Sequence, residues 1–72
     1  MSAVMARPFL ELLDTQPEVK DQFFVSAPAD AGELIGFAYQ KGFIFTEQDL
    51  RAALAEYPNR ELVDQLNAIL EA

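Results

Sequence analysis

Gly42-Phe43-Ile44-Phe45-Thr46-Glu47-Gln48-Asp49-Leu50 is the stretch that decides the fold. Gly42 is the residue type that ends a helix in a left-handed conformation. Thr46 is the type that starts the next one, its hydroxyl accepting an otherwise unpaired backbone N–H. With Gly42 just past the end of one helix, Phe43 should fold back on the turn before it. With Thr46 as N-cap, Asp49 falls at N3 as the acid of a capping box. Phe45 and Leu50 then fall at N′ and N4, as a hydrophobic staple. Every local signal agrees, which marks a specified helix–turn–helix junction.

The same punctuation runs outward in both directions. Helix three, before the junction, starts at Asp30-Ala31-Gly32-Glu33, with an N-cap oxygen and an acid three residues on. Leu34, Ile35, Ala38 and Tyr39 follow at helical spacing. Gly36 costs such a helix roughly 1 kcal/mol against alanine; a closely packed neighbour would explain it. Helix two is expected to begin at Thr15, with Thr15-Gln16-Pro17-Glu18 as another capping box. It is expected to turn Val19 and Phe23 toward the core, with Phe24 left open between core and surface, and to end near Ser26, because Pro28 disfavours helical geometry at Ala27. Helix one carries Phe9, Leu10, Leu12 and Leu13. Pro8 suits a first helical turn, so the helix is expected to start near Arg7 and leave residues 1–6 frayed. The rival reading is a longer helix from Ser2, kinked at Pro8. Beyond the junction, helix four carries Leu50, Ala53, Leu54 and Tyr57, with Glu47 and Arg51 as an i,i+4 ion pair. Pro58-Asn59 breaks the chain. Helix five runs from about Arg60 with Leu62, Val63, Leu66, Ile69 and Leu70 as its stripe.

Helices this short do not persist alone in water and must bury their stripes on one another. The expected architecture is all-α, one domain over residues 1–72, a compact bundle of four to five short helices. The chain has 72 residues and no cysteine. No disulfide or thiolate site reinforces the core, which at this size supplies no more than about 3–5 kcal/mol. The apolar share of 51% argues against disorder.

Function is bounded mainly by exclusion. With 12 acidic and 5 basic residues the net charge is −7. Such a surface repels nucleic acid and anionic lipid; its favoured complement is a basic groove on another protein, and the alternative is that the acidity only maintains solubility. No apolar run approaches the roughly 20 residues that cross a bilayer, and residues 1–8 lack a secretory signal pattern. A cytoplasmic location is expected. There is no histidine and no cysteine, so the commonest general base and the best nucleophile are missing. Thr15 and Thr46 read as caps. The pairs Glu18 with Asp21 and Glu47 with Asp49 lack the ligand density of a calcium loop, and acids in first helical turns follow from the helix dipole. No catalytic residue, metal ligand set or cofactor site is expected.

Six phenylalanines are many for so small a core. Neighbours on a helix point about 100° apart, so one of Phe23 and Phe24 should be partly exposed. Phe9, Leu13, Phe23, Phe24 and Phe37 are the candidate partner-binding residues.

The chain also resembles a known family. Gly42 to Leu50 reproduces the Gly-Phe-x-Phe-Thr-x-x-Asp-Leu pattern of the Nif-eleven domain, found in nitrogen-fixation loci and in leader peptides of ribosomally made, modified natural products. Phe9-Leu10-Glu11-Leu12-Leu13, Asp14 with Pro17-Glu18-Val19, Lys41-Gly42-Phe43 and Glu61-Leu62 match the same family in order. The resemblance implies a compact helical domain; together with the missing catalytic residue types, the leading expectation is a stand-alone protein-interaction module. Leader members end in a double glycine followed by a core peptide. Here Leu66 to Ala72 has no double glycine, and no Ser, Thr or Cys follows Thr46. The expected form is therefore the free-standing one; the alternative is a leader, or its remnant, recognised by a peptide-modifying enzyme through the Phe9–Leu13 helix.

Overall fold

The computed structural model describes residues 3–71 and contains five helices: α1 Ala3–Thr15, α2 Pro17–Ser26, α3 Ala31–Gln40, α4 Glu47–Glu56 and α5 Arg60–Leu70. Helix α1 packs against α4 and α2, while α3 packs against α4 and α5. The radius of gyration is 10.7 Å, close to the roughly 11 Å of a folded chain this long. The all-α bundle is the architecture expected.

The α3–α4 junction has the anticipated geometry. Gly42 adopts φ 94°. The Phe43 N–H donates to Ala38 O at 2.9 Å and the Gly42 N–H to Tyr39 O at 3.0 Å, the paired bonds of a Schellman turn. The Asp49 N–H donates to Thr46 Oγ1, and the Thr46 N–H donates to Asp49 Oδ2, both at 3.1 Å. Phe45 and Leu50 are buried in the same core, as a staple requires. Phe43, half-buried, turns its ring to Phe9 with centroids 5.8 Å apart. Arg51 and Glu47 form the expected pair at 2.8 Å.

Two junctions differ from the sequence reading. Helix α1 does not start at Arg7. It starts at Ala3 and runs through Pro8, as the rival, longer-helix reading has it; Met1 and Ser2, the rest of the stretch expected to fray, lie outside the described residues. Pro8 removes one helical donor, a cost of about 3 kcal/mol in a helix interior. Against it, the added turns place Ala6 fully in the core and pack Met5 on its edge. Tertiary burial overrides the local preference.

Thr15 does not cap α2. It is the last residue of α1, and its hydroxyl donates to Glu11 O at 2.7 Å. The N-cap is Gln16, without a side-chain cap, and Pro17 is the first helical residue. Gln16 serves both helices: its N–H donates to Leu12 O, and its carbonyl accepts from Val19 and Lys20. The helices abut with no loop between them. Helix α2 ends at Ser26 as expected, through Ala27 in the left-handed region at φ 50°.

Asp30 caps α3 by accepting the Glu33 N–H at 3.0 Å. Glu33 reaches one residue further back than a capping box requires, accepting the Ala29 N–H at 2.8 Å. Asn59 caps α5 by accepting the Leu62 N–H, and Arg60 donates to the carbonyls of Leu54 and Tyr57 at the end of α4. Tyr39, which follows Leu34, Ile35 and Ala38 at helical spacing, is 64% exposed. Gly36 has no close neighbour: a Cβ built there would meet nothing within 4 Å.

The core is organised around Phe9. Its ring lies 6.3 Å from Phe23 and from Phe37, and 5.7 Å from Phe45. These tilted and edge-on contacts tie α1 to α2, to α3 and to the α3–α4 connection. Among the described residues no polar or charged side chain is buried, apart from the phenol end of Tyr57.

Candidate functional site

Three of the five candidate partner-binding residues belong to the interior. Phe9, Leu13 and Phe23 are fully buried. A buried side chain offers no surface to a partner, so these positions are corrected to core. Phe24 remains 36% exposed, its ring edge-on to Phe23 with centroids 5.0 Å apart. Phe37 is half-buried, packed on Phe23 at 5.2 Å from inside. The expectation that one of Phe23 and Phe24 would be exposed is met by Phe24.

Between α2 and α3 lies an open groove of about 290 Å³, lined by Ser26, Pro28, Glu33, Gly36, Phe37 and Gln40. It exists because α2 and α3, although consecutive, are not among the closely packed helix pairs. Ala27, in the left-handed region, turns the chain out of α2 before α3 begins. The helices meet deeper down through the Phe23 and Phe37 rings, and at one end through Lys41, whose ammonium donates to Gln22 Oε1 at 2.9 Å. That ammonium also stands 5.4 Å from the Phe37 centroid. Glu33, Gly36, Phe37 and Gln40 share one face of α3, at the i, i+3, i+4 and i+7 spacing.

Val25, beside Phe24 on α2, is 84% exposed. It was not singled out from the sequence. The signal was there: Phe23-Phe24-Val25 are three successive apolar residues on a helix, which cannot all face one core. Ile44, in the α3–α4 connection, is 58% exposed.

A second cluster joins α1 to the α4–α5 connection. Asp14 accepts from the Tyr57 hydroxyl at 2.8 Å and from the Asn59 amide at 2.7 Å. Those bonds, Asn59's first and Tyr57's second, hold the Asp14 carboxyl below its usual range. Burial and the Asp14 carboxylate push the Tyr57 phenol up to about 12. The Arg7 guanidinium lies 5.5 Å from the Tyr57 ring centroid and 3.5 Å from Glu11. A second, shallower groove opens beside Arg7, lined also by Ala52, Ala53 and Glu56. Through these bonds the Asp14 carboxylate ties α1 to the α4–α5 connection.

Among the described residues, no group of three or more acidic side chains is placed to hold a metal ion, and no helix is long and apolar enough to cross a membrane. Comparison with protein-family models, with curated proteins and with solved structures finds no match to this chain.

Proposed function

We propose that this chain is a non-catalytic protein-interaction domain that works in the cytoplasm by docking on a larger protein with a basic surface. The observation that carries this reading is the outer surface of α2. There Phe24 and Val25 stand partly and largely exposed, and the groove lined by the half-buried Phe37 opens at the end of the same helix, at Ser26. Exposed aromatic and aliphatic side chains next to a concavity are the usual makings of an interface centre. The net charge of −7 supplies the rest: it speeds encounter with a cationic partner and discourages self-association. The Nif-eleven resemblance supports the same reading in its free-standing form.

The second reading is a leader segment recognised by a peptide-modifying enzyme, favoured by the Gly42–Leu50 pattern. Recognition through the apolar face of Phe9–Leu13 would require opening the core, since Phe9, Leu10 and Leu13 are fully buried. This makes that mode the costlier of the two.

The test is an affinity pull-down from cells starved of fixed nitrogen, with the intact domain as bait and mass spectrometry of bait and prey. A recurrent basic protein partner beside an intact bait is expected, with capture weakening as salt is raised. A clipped bait, or capture of a peptide-modifying enzyme or processing transporter, would favour the leader reading. Capture of nothing above background would remove the support for both.

A further inference from the structure

The α2–α3 groove combines three properties that the fold itself does not require. The first is Gly36. Glycine inside a helix is unfavourable, and the ordinary reasons for tolerating it are absent. Its φ does not lie in the left-handed region, and no neighbouring atom lies within 4 Å of where a Cβ would stand. Space above the α3 backbone is therefore left open on the groove side.

The second property is the floor. Phe37 presents an aromatic surface there, next to Pro28. The third is the sign of the charge. Glu33 is the one charged side chain among the lining residues, and it is an acid. The other wall is the end of α2, where the helix dipole is negative and no basic residue sits in the last turn. The cation at the Lys41 end is engaged with Gln22 and with the Phe37 ring.

We propose that this groove is the docking site for a segment of another protein that carries an apolar side chain next to a lysine or arginine. The apolar side chain lies over Gly36 against Phe37 and Pro28. The cation meets Glu33 and the carbonyl end of α2. A second copy of this chain is a poor occupant, because both copies carry the same large negative charge. The proposal rests on the interaction-domain reading and names the site and chemistry of the partner.

The experiment uses phage-displayed random peptides of about 12 residues as probes, selected on the full chain. The strongest binder is then synthesised and titrated against variants. Selection of peptides pairing Lys or Arg with Leu, Met or an aromatic residue is expected. Gly36→Leu fills the groove and should weaken the selected peptide by about tenfold or more, while leaving the circular dichroism spectrum intact. Glu33→Gln should weaken it roughly two- to fivefold, since the contact is solvent-exposed. Asp64→Asn, the same charge change at an exposed position of α5, should leave it unchanged.

Gly36→Ala should melt roughly 3–8 °C higher than the parent and still bind more weakly. A peptide that binds Gly36→Leu as well as the parent overturns the groove while leaving an interaction domain with its surface elsewhere. Selection of acidic peptides, or of none above empty beads, overturns the groove as well; the pull-down then decides the interaction reading separately. A Gly36→Ala protein that melts below the parent overturns the premise that the fold has no use for this glycine.

Discussion

At the scale of single residues, the clearest design feature is the Asp14 link, and it makes a pH prediction with two ends. Asp14 ionises more readily in the folded protein than its usual 3.8. Its contribution to stability is therefore present above that value and is lost as pH falls through the lower folded value. Tyr57 behaves oppositely. Its phenol is pushed from 10.0 to about 12, so its contribution is complete below pH 10 and is lost as pH rises from there toward 12. Tyr57→Phe keeps the buried ring and removes the hydroxyl. Its thermal midpoint should lie below the parent's at neutral pH, and the gap should close between pH 10 and 12. A gap that stays constant across that window would mean the hydroxyl bond contributes nothing to the alkaline response. The link was not visible in the sequence. Asp14 and Tyr57 are 43 positions apart, and no local pattern connects them.

Among the helices, legibility tracked how much of each junction is local. The α3–α4 junction is decided by Gly42, Phe45, Thr46, Asp49 and Leu50, all within one short stretch, and its bonds form as the residue types require. Thr46→Ala should cost about 1 kcal/mol, the usual value of an N-cap hydroxyl. Phe45→Ala should cost about 3 kcal/mol or more, because Phe45 is only 4% exposed and leaves a cavity. Urea denaturation of both variants checks the pair. A Phe45→Ala loss below about 1 kcal/mol would place Phe45 outside the core. The first two helices were less legible because their boundaries are set by burial far along the chain. Thr15 and Glu18 have the right spacing for a capping box. Yet Thr15 stays helical, because extending α1 through it costs no loop and lets Gln16 pair with both helices. Pro8 likewise marks a helix start only until Ala6 has a core to enter. The groove was partly legible: Phe37 was among the candidates, while Gly36 was expected to be covered and is open.

For the whole molecule, stability and interaction draw on different phenylalanines, and this separation can be tested. Phe9 is the ring on which α2, α3 and the α3–α4 connection converge, and it is fully buried. Replacing it by alanine removes the partner of four other rings at once. Phenylalanine-to-alanine changes in cores cost about 3–5 kcal/mol. A single core of this size supplies about the same. Phe9→Ala should therefore be largely unfolded at 25 °C by far-ultraviolet circular dichroism, whatever it does to binding. Phe24 rests on the surface of Phe23 with more than a third of its area in water. Phe24→Ala should stay folded and lose less than about 1.5 kcal/mol, the cost of incompletely burying one such side chain. If Phe9→Ala keeps a cooperative, parent-like unfolding transition, the five elements do not depend on a common centre, and the aromatic cluster is not what holds the bundle together.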